Sequence, residues 1–287
     1  MQSINDVLTA PAAQVAELAP ATVLYTPGGT RRRAALAGMG TSTEEYAQWS
    51  RRQAVKSVAH FFALGVRHVF TNALCPSQLA EVGRYRDRLL DWTVEGLAGA
   101  EALADYARLG WRIKIVGGGD IPAIREAAVR LDVLAPKGDA PTLWWCVTDT
   151  QGGYWTMLLD AVHRSGARTQ HEAIRALYGE DVPPASLWLG FGKPSFSADM
   201  LPLLLTDAVQ CYWDQRPGYV LDEAMLRRIL YDYACLRRTW TEDKSSRYRD
   251  VQDQQEEWDR PQVLGLGRRI GGFWYPMAEQ DQVGDAE

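Results

Sequence analysis

Two kinds of hydrophobic pattern alternate along this chain. Short runs dense in β-branched and aromatic residues occur at 21–25, 66–74, 111–116, 142–148, 186–191 and 208–213, each about the length of a buried strand. Between them, apolar residues recur with a helical period at 43–64, 77–109, 121–131 and 153–164, and over a shorter stretch at 170–178. Strand–helix alternation of this kind predicts an α/β fold: one domain with a largely parallel sheet and helices on both faces. A final long helix is predicted over 221–239, opened by Asp222 and Glu223 and closed by Arg237 and Arg238, whose charges suit the two ends of a helix dipole. Residues 242–260 are polar and charged, the signature of a solvated helix or an excursion, and 268–275 turns apolar again and packs back on the domain. The expected organisation is an N-terminal extension at 1–19, a main domain at 20–276 and a frayed tail at 277–287.

Composition narrows the class. At 287 residues and 46% hydrophobic, the chain can bury a sizeable core. A net charge of −5 with no long basic run argues against nonspecific nucleic-acid binding. Cys75, Cys146, Cys211 and Cys235 have no CxxC or metal-type spacing and fit reduced thiols in a cytoplasmic protein. The first residues lack a basic segment followed by an apolar one, so no secretory signal is expected, and no apolar run is long enough to cross a bilayer. Eleven tryptophans and twelve tyrosines admit two readings: core filling, or an aromatic pocket for a bulky apolar or cationic species.

Candidate chemistry begins where the first apolar run ends, at Tyr25-Thr26-Pro27-Gly28-Gly29-Thr30-Arg31-Arg32. Two glycines let the backbone turn sharply after a strand; successive N–H groups can then converge on an anion, and the arginines add charge-assisted donors. A plain tight turn is the competing reading, since the stretch is neither a Walker loop nor GxGxxG. Arg51 and Arg52, with Tyr46 about one turn earlier, form either a solvated helix face or a second contact to the same anion. Gly190-Phe191-Gly192-Lys193 ends another strand and is either an ordinary turn or a second phosphate contact. The histidines form no HExxH, GxSxG is absent, and no DDxxD cluster stands on a helix.

Taken in order, these pieces resemble the cis-prenyltransferase fold of the undecaprenyl diphosphate synthase superfamily, whose first strand ends in a D-G-N-x-R-W phosphate loop. Arg51 ahead of Lys56-Ser57-Val58 resembles the basic residue and K-S-V of its next helix. Gly152-Gly153-Tyr154-Trp155 after the 142–151 run looks like its Y-G-G-R-W segment, and 190–195 falls on its R-x-x-G-E-x-R segment without the leading arginine. The diterpene branch, the tuberculosinol and kolavelool synthase group, is closer. Its D-G-T-R-R core is matched by Gly29-Thr30-Arg31-Arg32, its tyrosine before the basic helix residues by Tyr46, and its I-G-F-G by Leu189-Gly190-Phe191-Gly192. Its L-R-R-I-L-Y-D…L-R is present from Leu226 to Asp232 and at Leu236-Arg237, and its closing glycine–aromatic pattern at 263–267 and 272–275. The resemblance spans about residues 20 to 276, which it makes the catalytic domain. The chain departs from the family at two positions: the loop aspartate is Gly28, and a second pocket tyrosine falls on Leu89, with Tyr85 one helical turn away.

The resemblance implies a diterpene synthase that ionises a bicyclic C20 allylic diphosphate of halimadienyl, kolavenyl or labdadienyl type and traps the cation with water as an alcohol. Gly28, Gly29, Thr30, Arg31 and Arg32 would hold the diphosphate, with Arg51 and Lys193 on its far oxygens; Arg31 and Arg32 would assist its departure. Tyr46 would face the cation or orient water, while Trp49, Tyr85, Leu89 and Trp155 would line the hydrocarbon pocket. No metal-ligating side chain is expected: with Gly28 in the acid's place, Mg²⁺ rides on the diphosphate or is dispensable, and Gly28→Asp would raise magnesium dependence. Transfer of the same cation to a nucleoside such as adenosine, and a non-catalytic partner that binds isoprenoid diphosphates, are the alternatives. The family resemblance also implies a homodimer through late helices and a place after a class II diterpene cyclase.

Overall fold

Thr22 to Thr26 are all buried, as a strand covered on both faces must be, and they form the centre of a six-stranded sheet. In the computed structural model, which describes residues 3–41, 43–81, 84–134, 136, 138–195, 205–240, 242–259 and 263–276, two short helices come first, α1 (Ile4–Thr9) and α2 (Ala12–Val15). Then follow β1 (Thr22–Thr26), α3 (Thr30–Leu36), α4 (Glu44–Ala63), β2 (His68–Leu74), α5 (Pro76–Leu79), α6 (Arg84–Ala98) and α7 (Ala100–Leu109). The chain continues through β3 (Arg112–Gly117), α8 (Pro122–Leu134), β4 (Thr142–Val147), α9 (Gly153–Ser165), α10 (Gln170–Tyr178), β5 (Ala185–Phe191) and β6 (Thr206–Asp214). It ends with α11 (Glu223–Tyr231), a π-helical turn at Asp232–Leu236, α12 (Arg247–Asp253), α13 (Gln255–Trp258) and a hairpin of β7 (Gly267–Ile270) and β8 (Phe273–Pro276).

All neighbours in the large sheet are parallel, in the order β3-β4-β2-β1-β5-β6. From β1 the chain first builds outward through β2 and later returns to place β5 on the other side. The carboxyl ends of β1 and β5 therefore flank a topological switch point, the usual ligand crevice of such sheets. Side-chain alternation splits the interior in two. Val23, Tyr25, Val69, Leu143, Trp145, Leu187 and Leu189 face α4, α6, α7, α8 and α11, while Leu24, Phe70, Trp144, Cys146 and Trp188 face α9 and α10.

The predicted α/β class and all six strands of the sheet are present. The helix expected over 77–109 is three helices, because Ser77 lies in the short α5 and the chain breaks again at Gly99. An added Cβ at Gly99 would lie 2.5 Å from the Glu95 carbonyl oxygen, so the break favours glycine. The helix expected over 221–239 ends at Leu236 through a π turn, and α3 was not anticipated. The segment at 1–19 is no appendage either. Val7 and Val15 are fully buried, and the buried Arg227 of α11 donates from Nη1 to the carbonyls of Val7 and Ala10, both at 2.8 Å. The tail at 277–287 lies outside the described residues.

Candidate active site

The turn after β1 is fixed from both sides. Gly28 donates its N–H to the Thr26 carbonyl and accepts the Gly218 N–H, each at 2.8 Å. A Cβ on Gly28 would lie 2.4 Å from the Phe191 carbonyl oxygen at the end of β5, so glycine is required by close approach of two strands' backbones. Gly29 adopts φ 79°, in the left-handed region, and caps α3. Thr30, Arg31 and Arg32 are therefore the first turn of a helix, where backbone N–H groups precede any carbonyl partner of their own helix.

Three other loops at the same edge of the sheet close around this turn. Gly192, after β5, donates to the Asp214 carbonyl at 2.9 Å, and Trp213 Nε1 donates to the Gly192 carbonyl at 2.8 Å. The loop after β6 brings Gly218 against Thr30, 3.2 Å from a would-be Cβ. Beside it Tyr219 takes φ 38°, uncommon for a bulky residue. Its hydroxyl shares a 2.9 Å hydrogen bond with Ser50 and its ring meets Trp49 edge-on at 5.9 Å. The segment after β2 supplies Glu81, whose Oε1 accepts from Arg31 Nη2 at 2.7 Å.

Arg32 stands at the centre. Its Nη2 lies 2.7 Å from the Cβ position of Gly29 and 3.1 Å from that of Gly192, so the guanidinium fills the gap between the turns after β1 and β5. The C-terminal hairpin folds back over it: the Phe273 ring lies 5.3 Å from Arg32 Cζ, and the Trp274 ring 5.9 Å from Lys193 Nζ. Both are cation–π distances. Gly267 is required opposite Trp274, since a Cβ there would reach the indole at 2.5 Å. The apolar return expected at 268–275 is this hairpin, and its rings sit on two of the predicted site cations.

Tyr46 is 7% exposed. Thr43 caps α4 through the Tyr46 N–H, and the Tyr46 hydroxyl shares a 3.1 Å hydrogen bond with Thr30 Oγ1. Its ring meets Trp92 edge-on at 6.5 Å, beside a cleft of about 690 Å³ lined by Thr43, Glu44, Arg88, Asp91, Trp92 and Glu95. The structure thus gathers Gly28, Gly29, Thr30, Arg31, Arg32, Tyr46 and Lys193 at one edge of the sheet. Arg51 is engaged elsewhere. Its side chain is 9% exposed and grips Asp105 at 2.6 Å and Glu101 at 2.8 Å, tying α4 to α7.

The pocket residues divide. Trp49 pairs with Tyr219, and Leu89 packs against the core on the α4 side of the sheet. Trp155 sits half-exposed in the first turn of α9, the helix covering the other face, so it does not join them. Tyr85 is in the first turn of α6, and its side chain lies outside the described residues. Glu81, Tyr219, Phe273 and Trp274 were missed as site residues. Only the aromatic Phe273-Trp274 pair after Gly272 carried a sequence signal.

No protein-family model matches the chain. It is 40% identical over 277 residues, 96% of both chains, to (+)-kolavelool synthase of Herpetosiphon aurantiacus. The chain belongs to the kolavelool synthase family. A shorter stretch of 111 residues, 37% of each chain, is 35% identical to tuberculosinyl adenosine transferase of Mycobacterium tuberculosis. Two solved structures share the cis-prenyltransferase fold of this family member. Lavandulyl diphosphate synthase of Lavandula x intermedia, in complex with dimethylallyl diphosphate, aligns at TM-score 0.60 and 16% identity over 76% of this chain and 97% of its own. A probable undecaprenyl diphosphate synthase of Campylobacter jejuni aligns at 0.55 and 13% over 77% and 98%.

Around this turn the described carboxylates are already engaged. Position 28 has no room for a carboxylate, Glu81 is held by Arg31, and Asp214 by Arg216 at 2.5 Å. Among the described residues no cluster of three or more His, Cys, Asp or Glu is arranged around a metal position. None of their helices is long and apolar enough to cross a membrane.

Proposed function

We propose that this protein is a diterpene synthase that ionises a bicyclic C20 allylic diphosphate, of halimadienyl, kolavenyl or labdadienyl type, and captures the cation with water. The carrying observation is the 96% coverage by (+)-kolavelool synthase, together with a donor-rich turn at the switch point of the sheet. Arg32 and the first-turn N–H groups of α3 receive the departing diphosphate, with Arg31 released from Glu81 to join them. Preorganised donors at a leaving group lower the barrier because they need no reorientation as charge develops. Tyr46, buttressed by Thr30, borders the diphosphate and the reacting carbons. The hairpin rings of Phe273 and Trp274 cover the site and exclude bulk water. The product is a tertiary alcohol of the kolavelool kind, formed in the cytoplasm by a homodimer working after a class II diterpene cyclase.

Incubation of the purified protein with geranylgeranyl, halimadienyl and kolavenyl diphosphates tests this reading. A C20 alcohol together with diphosphate release is the expected result; release from none of the three would sink it. The partial match to an adenosine transferase supports a second reading in which a nucleoside replaces water. Adding adenosine decides between them by the mass of the product.

A further inference from the structure

The sheet has a second open edge, at the amino ends of its strands, about 17 Å from the glycine turn along the five residues of β1. A cavity of about 470 Å³ opens there, within the size range of small-molecule sites. It is lined by His68, the first residue of β2, with Arg67 beside it and Arg112, the first residue of β3. His68 presents a donor of fixed identity. Trp144 Nε1 can only donate, so His68 Nδ1, at 3.2 Å, is its acceptor and the ring proton sits on Nε2. Burial lowers the His68 pKa to about 4, so the ring is neutral at physiological pH. Its Nε2–H meets no acceptor among the described residues and is not sealed from solvent, so it faces the cavity.

Most charges around this ring are already matched. Arg112 Nη2 donates to both carboxylate oxygens of Glu180, and Asp181 lies 3.0 Å from His171 Nδ1. Arg67 and Asp139 are the exceptions: among the described residues neither side chain makes an ion pair or hydrogen bond. The cavity therefore offers one open cation, one open anion and one neutral donor. Its three carboxylates against two arginines disfavour a multiply charged anion. Ile174, Val182, Pro183 and Pro184 add an apolar wall. We propose that this cavity binds a free α-amino acid with an apolar side chain. Its carboxylate takes the planar fork of Arg67 and the His68 Nε2–H, and its ammonium meets Asp139. The first turn of α10, which reaches the cavity through Gln170 and His171, favours the carboxylate end by its dipole. The site is remote from the glycine turn, and its assignment does not depend on the synthase reading.

Calorimetry on the whole chain with L-leucine and L-phenylalanine tests this, with acetate, butylamine and inorganic phosphate as probes carrying one charge sign each. At least one amino acid should saturate the site below about 10 mM, and each single-sign probe should bind at least about tenfold more weakly. Arg67→Met and Asp139→Asn change exposed side chains and should leave the unfolding midpoint unchanged. Each should weaken amino-acid binding roughly tenfold to a hundredfold, the worth of a hydrogen bond to a charged group. Failure of both amino acids to bind overturns the proposal, as does unchanged affinity in the Arg67→Met/Asp139→Asn double variant. Acetate or phosphate binding as tightly as the amino acid marks a plain anion site and overturns the zwitterion assignment. In crystals grown with the tighter amino acid, its carboxylate is expected within hydrogen-bond distance of Arg67 and His68 Nε2, and any other position overturns the proposal.

Discussion

Thr30 Oγ1 and the Tyr46 hydroxyl lie 3.1 Å apart, joining the first turn of α3 to the first turns of α4. The bond fixes a buried phenol against the glycine turn after β1. Tyr46→Phe keeps the ring and its contact with Trp92 but frees Thr30. It should lower kcat about a hundredfold with little change in KM, as expected for a group acting mainly in the transition state. Steady-state kinetics check this, with the unfolding midpoint unchanged.

Arg31 and Arg32 are not equivalent. Arg32 is packed between two glycine turns, whereas Arg31 is about half-exposed and already paired with Glu81. Arg32→Ala should cost on the order of a hundredfold in kcat/KM and Arg31→Ala about tenfold. Glu81→Gln removes the competing carboxylate and should tighten binding of inorganic diphosphate severalfold, measured by calorimetry.

Gly28→Asp at first suggests a restored metal-binding acid, with greater magnesium dependence. The structure reverses that expectation, because the new Cβ would meet the Phe191 carbonyl at 2.4 Å. The variant should lose about 2 kcal/mol or more of stability and most of its activity, through displacement of two backbones. Magnesium titration of variant and wild type is the check, and a gain in magnesium-dependent turnover would contradict the packing argument.

Arg51→Met separates the α4–α7 clamp from catalysis. It leaves Asp105 and Glu101 partly solvated and should destabilise by about 1–2 kcal/mol, with kcat/KM within roughly threefold. The hydrogen bond from Arg51 holds the Asp105 carboxyl below its ordinary value of 3.8. Its contribution is therefore complete above pH 3.8 and is lost as the pH falls through the lower folded value. In Arg51→Met that acid-side loss should shrink.

His68 gives a second acid-side effect. Burial lowers it from 6.5 to about 4, and its Nδ1 accepts from Trp144 Nε1 at 3.2 Å. Between these two values the unfolded chain binds the proton and the folded one does not. Stability should fall as the pH drops from 6.5 towards 4 and level off below, and His68→Gln should flatten that slope in urea titrations.

The sheet was legible because strands buried on both faces read as near-continuous apolar runs, and those of β1, β4 and β5 hardly vary from that pattern. The glycine turn after β1 was legible for a local reason: its glycines and arginines are consecutive. Arg51 looked like a ligand because sequence shows a charge without its partner, and Asp105 is 54 residues away. Glu81, Tyr219 and Phe273 reach the site only through tertiary packing of separate loops, which no spacing encodes. The breaks at Gly99 and Asp232 were hidden because helical periodicity continues across them.

The contact between Gly28 and the Phe191 carbonyl also bears on how such a site can change over generations. No single codon change can put a carboxylate at position 28 while β5 keeps its present course. The neighbouring strand end would have to retreat to make room. An acid in this loop therefore requires a shift of the β5 end, and the glycine is held in place by its neighbour.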